Sequence, residues 1–149
     1  MKRIYVKEDW CLGCHLCEYN CAYANSGNPD MVKALKDVAI RPRIRIEEAG
    51  GISFAVSCRH CEEPLCVRNC ITGSLRIVDG VITVDQEKCV GCFTCVLSCP
   101  YGAVMPTAAG VVQKCELCLR NAAGSPACVT GCPNGAIVYE EKEARECAM

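Results

Sequence analysis

Aromatic side chains are scarce in this sequence: one tryptophan, two phenylalanines and five tyrosines among 149 residues. So few rings make a thin core, and the 51% apolar fraction conceals the shortage because 17 cysteines are counted in it. Also missing is any apolar run of the ~20 residues that a membrane-spanning helix needs. The opening Met1-Lys-Arg-Ile-Tyr-Val carries neither a signal-peptide pattern nor a twin-arginine segment, so a cytoplasmic protein is expected. Charge of one sign is not in excess; the formal total is −1. With no basic helix and no dimer motif, nothing points to nucleic acid. The absent export route and the odd cysteine count argue against a disulfide framework. One or two small domains fit the length, and something other than a conventional core must supply much of the folding energy.

What is present is cysteine in a strict pattern. In Cys89-Val-Gly-Cys92-Phe-Thr-Cys95-Val-Leu-Ser-Cys99-Pro100, three cysteines recur every third residue and a fourth follows after three more residues. Three thiolates so close can wrap three corners of an iron–sulfur cube through one loop. The fourth is carried onward on a helical turn and, in two-cluster ferredoxins, reaches the other cube. Gly91 lets the loop backbone approach without a Cβ in the way. Cys11, Cys14, Cys17 and Cys21 repeat the spacing. Cys58, Cys61, Cys66 and Cys70 widen the middle gap, and Cys115, Cys118, Cys128 and Cys132 widen it further. Sixteen of the 17 cysteines are thereby used, enough for four [4Fe-4S] clusters, and Cys147 is spare. Zinc sites space two cysteine pairs by a dozen residues or more, which the first and third runs do not; the Cys115–Cys132 run alone also fits zinc. Four oxidised cubes of roughly −2 each take the formal charge to about −9. Arg59, Arg68, Lys88, Lys114 and Arg120, beside the ligands, either compensate that charge or are solvated.

Along the chain, residues 2–7 read as a strand and His15 as a neighbour of the ligands rather than one of them. A helix is expected from Pro29-Asp30, packing Met31, Ala34, Leu35 and Val38. Residues 41–56 read as a β-hairpin turning at Gly50-Gly51, with Arg43 and Arg45 on a face opposite Ile44 and Ile46 that is solvated or, as the alternative, docks an acidic partner. Leu75–Val78 and Val81–Val84 flank Asp79-Gly80, a type I′ turn signal. Val111-Val112 and Ile137–Tyr139 are further strands, and the charged tail reads as frayed helix or disorder. Cys70-Ile-Thr-Gly73-Ser-Leu, Cys99-Pro-Tyr-Gly102-Ala-Val and Cys132-Pro-Asn-Gly135-Ala-Ile share one frame. In each, glycine turns the chain out of the ligand helix and an aliphatic residue starts a strand.

The segments Cys58-Arg-His-Cys61-Glu-Glu-Pro-Leu-Cys66 and Lys114-Cys-Glu-Leu-Cys118, with Pro126-Ala-Cys128 and Cys132-Pro133, resemble the four-cluster electron-transfer subunits of the dimethyl sulfoxide reductase and formate dehydrogenase type. The resemblance covers nearly the whole chain. The first run, Trp10-Cys-Leu-Gly-Cys14-His-Leu-Cys17-Glu-Tyr-Asn-Cys21, is similar to the soluble iron–sulfur protein associated with carbon monoxide dehydrogenase. The resemblance implies an α+β fold of two interleaved bacterial-type two-cluster ferredoxin-like units, with short hairpins and cluster-binding helical turns, in a single polyferredoxin domain over residues 1–149. Its pseudo-symmetric halves are runs 11–21 with 115–132 and runs 58–70 with 89–99. The implied ligand sets are Cys11, Cys14, Cys17 and Cys132; Cys115, Cys118, Cys128 and Cys21; Cys58, Cys61, Cys66 and Cys99; and Cys89, Cys92, Cys95 and Cys70. Spacing alone leaves nested and sequential pairing open.

The function so implied is electron relay without catalysis, between a large catalytic subunit and a flavin-dependent NAD(P) oxidoreductase or ferredoxin. Carbon monoxide dehydrogenase is the first choice of catalytic partner, with a tungsten or molybdenum aldehyde oxidoreductase or a hydrogenase behind it; a free polyferredoxin is the other alternative. Residues near Cys14 and Cys118, including His15 and Leu117, are expected to form one docking face. An enzyme using a cluster directly is disfavoured, since that chemistry leaves one iron without a cysteine and here every set is complete.

Overall fold

The computed structural model describes residues 1–119 and 124–141. Its elements are short because the cysteine loops interrupt them. In order they are β1 (Arg3–Val6), α1 (Leu16–Ala24), α2 (Met31–Leu35), β2 (Arg45–Ala49), β3 (Ile52–Val56) and α3 (Leu65–Arg68). Then follow β4 (Leu75–Val78), β5 (Val81–Val84), α4 (Thr94–Ser98), β6 (Val104–Pro106), β7 (Val112–Lys114), α5 (Ala127–Thr130) and β8 (Ile137–Glu140). All strands pair as two-stranded antiparallel ribbons: β2–β3, β4–β5, β6–β7 and, across nearly the whole chain, β1–β8. The fold is therefore a small mixed one of helical turns and antiparallel ribbons.

Local chemistry accounts for most of these elements. Asp79 and Gly80 both have positive φ (50° and 79°), as a type I′ turn requires, and join β4 to β5. Gly73, Gly102 and Gly135 (φ 65°, 58° and 62°) each donate a backbone N–H to the carbonyl of the cysteine three residues earlier, at 3.3, 3.2 and 3.4 Å. The aliphatic residue two positions on, Leu75, Val104 or Ile137, is then buried. The shared frame of the three runs is thus a shared turn.

The helix at Asp30 starts as expected: its side chain caps the N–H groups of Val32 and Lys33 at 2.9 and 3.3 Å. It departs from expectation after Leu35. Asp37 takes φ +58°, which ends the helix before Val38, and both Met31 and Val38 are exposed. The five residues present only a short packing face: Ala34 and Leu35 are half-buried and the helix touches α1. Arg43 and Arg45 are likewise not on a solvated face. Arg43 lies before β2 and pairs with Glu116 at 2.8 Å, and Arg45 donates to the Gly102 carbonyl at 2.6 Å.

The core is sulfur-rich. Among the described residues, seven of the 21 buried apolar residues are cysteines: Cys17, Cys21, Cys58, Cys66, Cys95, Cys115 and Cys128. They pack with Ile4, Ile44, Ala55, Val81 and Ile137 in one cluster and with Leu75, Ile82, Val84, Val104 and Val112 in another. Glu116 joins the ribbons: Oε1 accepts from Val84 N–H at 2.9 Å and Oε2 from Arg43 Nη1 at 2.8 Å. Glu116→Ala leaves a buried N–H without an acceptor, at a cost of about 1–3 kcal/mol. Glu116→Gln, which keeps the carbonyl oxygen toward Val84, should lose less. Urea midpoints of the anaerobic protein, read by loss of visible absorbance, should fall in that order.

Candidate cluster-binding site

The sixteen cysteines of the four runs sit at equivalent places in their loops. In each run the third cysteine lies at the start of a helix (Cys17 in α1, Cys66 in α3, Cys95 in α4, Cys128 in α5), and the fourth lies about one turn later. Runs one and three share one loop form, with glycine at positive φ before the second cysteine (Gly13, Gly91) and His15 or Phe93 at positive φ after it. Gly91 has a reason of its own beyond φ, since an added Cβ would lie 2.1 Å from the Gly110 carbonyl oxygen. Runs two and four share the other form, in which His60 and Leu117 have positive φ between the first two cysteines. There the N–H of His60 donates to Cys58 Sγ and that of Leu117 to Cys115 Sγ, both at 3.4 Å.

The structure gathers cysteines from different runs. One pocket is lined by Cys11, Cys14, Cys17 and Cys132. A second is lined by Cys70, Cys89, Cys92 and Cys95. Burial pushes the Cys21 thiol up, and Cys118 beside it adds to the rise. Burial also raises Cys128, assisted by Cys115, Cys21 and Cys118. The Cys66 thiol is pushed up to about 11 by burial, with Cys58 and Cys99 contributing, and Cys61 is raised by burial, Cys58 and Cys99. Cysteines of other runs are also neighbours: Cys128 is within electrostatic reach of Cys17, and Cys115 of Cys58. Cys66, Cys95, Cys70 and Cys99 share one packed cluster. Only Cys14 and Cys92 are exposed among the described cysteines. α1 packs on α5 and α3 on α4, so the helices of runs one and four touch, as do those of runs two and three.

These surroundings fit an anionic sulfur cluster. Arg43, Leu75 and Ala103 donate backbone N–H groups to Cys21, Cys70 and Cys99 Sγ at 3.2, 3.4 and 3.4 Å, and such bonds favour thiolate over thiol. Lys114, 1% exposed, donates Nζ to the carbonyls of Ile82 and Cys115 at 2.8 and 3.0 Å, and its charge reaches Cys66 and Cys115. Among the described residues no three His, Cys, Asp or Glu side chains converge as a single metal ion needs. A four-iron cube is broader than one ion, so its ligands stand further apart.

Other expected residues are distributed unevenly. His15 is half-buried and its Nδ1 meets Glu18 Oε2 at 2.7 Å. Arg59 lies over the Tyr101 ring at 5.3 Å, and Lys88 is 3.7 Å from Asp85. Arg68 is exposed, whereas Arg120 and Cys147 lie outside the described residues. Leu117 is buried at 5% exposure and cannot belong to a docking face. Arg3 and His60 were not singled out by sequence. For His60 a signal existed: aligned with the fourth run, it stands where that run has Leu117. No helix among the described residues is long and apolar enough to cross a membrane.

Cysteine loops on helical turns, joined by antiparallel ribbons, define a small iron–sulfur protein of ferredoxin-like build. The chain belongs to the 4Fe-4S dicluster domain family, whose model matches residues 51–142. It is 36% identical to an iron–sulfur protein of Rhodospirillum rubrum over 98% of this chain and 85% of that one. It is 34% identical to the thiosulfate reductase electron transfer subunit PhsB of Salmonella typhi, covering 93% of this chain and 75% of the subunit. It is also 39% identical to the putative oxidoreductase AegA of Escherichia coli, where it spans only 21% of a longer protein.

Burial dictates how the metal-free site titrates. It pushes Cys17 and Cys115 up to about 12 and Cys66 up to about 11, so all three carry protons at neutral pH. Ligation needs thiolates, so loading iron and sulfide must release protons and is favoured by raising pH. Reconstitution followed by visible absorbance should be more complete at pH 8.5 than at pH 6.5, with proton release recorded by an indicator dye. Equal yields at both values would contradict this.

Proposed function

We propose that this chain is a non-catalytic electron-transfer protein holding four [4Fe-4S] clusters in one domain of two interleaved ferredoxin-like halves. The ligand sets are Cys11, Cys14, Cys17, Cys132; Cys21, Cys115, Cys118, Cys128; Cys58, Cys61, Cys66, Cys99; and Cys70, Cys89, Cys92, Cys95. The observation that carries this is the pair of pockets each framed by four cysteines, three from one run and one from another. Nested pairing is further supported by β1 meeting β8 and by the α1–α5 and α3–α4 contacts. The membership in the 4Fe-4S dicluster family and the electron-transfer name of the Salmonella relative support the relay role.

Each cluster, when bound, takes up and returns one electron at a potential tuned by hydrogen bonds and exposure. The protein's own residues hold the sets in a row, bury five of the eight cysteines of the inner two and leave Cys14 and Cys92 exposed at the ends. Exposed apolar residues surround both ends: Trp10, Leu12 and Leu16 near Cys14, and Val90, Phe93 and Leu97 near Cys92. We assign these ends as the two docking faces, replacing the expected face at Leu117. The partner at one end is a catalytic redox subunit, first choice carbon monoxide dehydrogenase on the resemblance of the first run, with an aldehyde oxidoreductase or hydrogenase second. A flavin-dependent oxidoreductase or ferredoxin meets the other, in the cytoplasm.

Anaerobically prepared protein should contain about sixteen iron and sixteen sulfide per chain. Cys99→Ser should alter the spectrum of one cluster only and leave the set of Cys89, Cys92, Cys95 and Cys70 fully ligated. About eight iron with stoichiometric zinc would refute the four-cluster reading, and a Cys99 variant disturbing its own run's cluster would refute the nesting. The partner is tested by mixing the protein with each catalytic subunit and following bleaching when carbon monoxide, aldehyde or hydrogen is added. Bleaching should require the subunit, and turnover by this chain alone would overturn the relay assignment.

A further inference from the structure

Two buried donors lack an acceptor among the described protein residues: His60 Nε2 and Arg3 Nε. His60 is 1% exposed, and its Nδ1 accepts from the Ile82 N–H at 3.1 Å. A ring nitrogen that accepts carries no proton, so the proton of the neutral ring is on Nε2. Arg3 cannot take it, because a guanidinium only donates. Arg3 lies within electrostatic reach of both His60 and Cys61. His60 stands between Cys58 and Cys61 in the loop and Arg3 lies within electrostatic reach of Cys61, so both donors belong to one neighbourhood without an acceptor among the described residues, and buried polar groups in native folds have partners.

The comparison with the fourth run sharpens the point. His60 and Leu117 occupy the same loop position, with φ 47° and 53° and the same N–H to sulfur contact. The loop form therefore does not require a polar side chain there. Only the second run has one.

We propose that His60 Nε2–H, seconded by Arg3 Nε–H, donates to a sulfur of the cluster held by Cys58, Cys61, Cys66 and Cys99, and makes it the more easily reduced of the inner two. This rests on the four-cluster reading. A donor aimed at sulfur stabilises the charge added by one electron more than it stabilises the oxidised state, which raises the potential.

The chain has only two histidines. In His15→Gln protein carrying histidine labelled with ¹⁵N in the imidazole ring only, which leaves the backbone N–H to Cys58 Sγ silent, and reduced by dithionite, pulsed electron paramagnetic resonance should therefore detect ¹⁵N coupling from the His60 ring to the cluster that Cys99→Ser alters. Iron-complete His60→Leu should shift the reduced-to-oxidised ratio of that cluster about tenfold toward oxidised at fixed ambient potential, or about 59 mV for one electron. His60→Gln, which keeps a donor, should recover part of the shift. Arg3→Met, a substitution outside the ligand loops, should move the same cluster in the same direction and leave the other three unmoved. Full iron without ¹⁵N coupling, or unchanged potentials in iron-complete His60→Leu, overturns the inference. If His60→Leu loses iron, the label and Arg3→Met decide the matter. Iron well below sixteen in the unaltered protein strikes the four-cluster reading instead.

Discussion

Sulfur has to be brought inside a chain with few large apolar side chains to surround it, and every other feature of the structure accommodates that demand. Seven cysteines occupy positions where leucine or phenylalanine would stand in a conventional core. A small thiol fills less volume than those residues, so apolar packing alone supplies little of this interior's cohesion. Burial keeps its deepest thiols protonated. The same interior is well furnished for sulfur in its anionic form: backbone N–H groups converge on Cys21, Cys58, Cys70, Cys99 and Cys115. A fold that supplies donors to buried sulfur is arranged for ligation rather than for hydrophobic packing.

Cations are treated in the same way. Lys114 is almost wholly buried, yet its ammonium meets two carbonyls and, among the described residues, forms no ion pair. A buried ammonium without an anion is costly. Its setting between Cys66 and Cys115 is consistent with clustered negative charge on either side. Arg43 is handled differently, being balanced by Glu116, whose second oxygen holds the Val84 N–H and so ties the hairpin of β4 and β5 to the segment before β2.

The four runs are repeats at one level and alternate at another. All four place the third cysteine on a helical turn. Around it, runs one and three bend through Gly13 and Gly91, whereas runs two and four bend through His60 and Leu117. Each helix contact joins a run of the first kind to one of the second, α1 with α5 and α3 with α4. The β1–β8 ribbon joins segments more than a hundred residues apart.

Local chemistry was legible in the sequence because its signals act over a few residues. Cysteine spacing, the Asp79-Gly80 turn, the Asp30 cap and the Cys-x-x-Gly frame each prescribe conformation within one loop, and each appears where expected. The short helix after Asp30 was misjudged in extent because an apolar pattern over eight residues says nothing about how much surface exists to receive it. Arg43 and Arg45 were misjudged for a related reason: alternation places them opposite Ile44 and Ile46, but Glu116 and Gly102 come from distant parts of the chain. Which runs lie side by side, and which cysteines face solvent, depend on helix contacts and strand pairings that spacing cannot encode. The sequence by itself determined the kind of atom this protein gathers and the loops that present it. Tertiary structure decided the company each sulfur keeps, because partners brought together across the chain are chosen by packing and charge, not by neighbours in sequence.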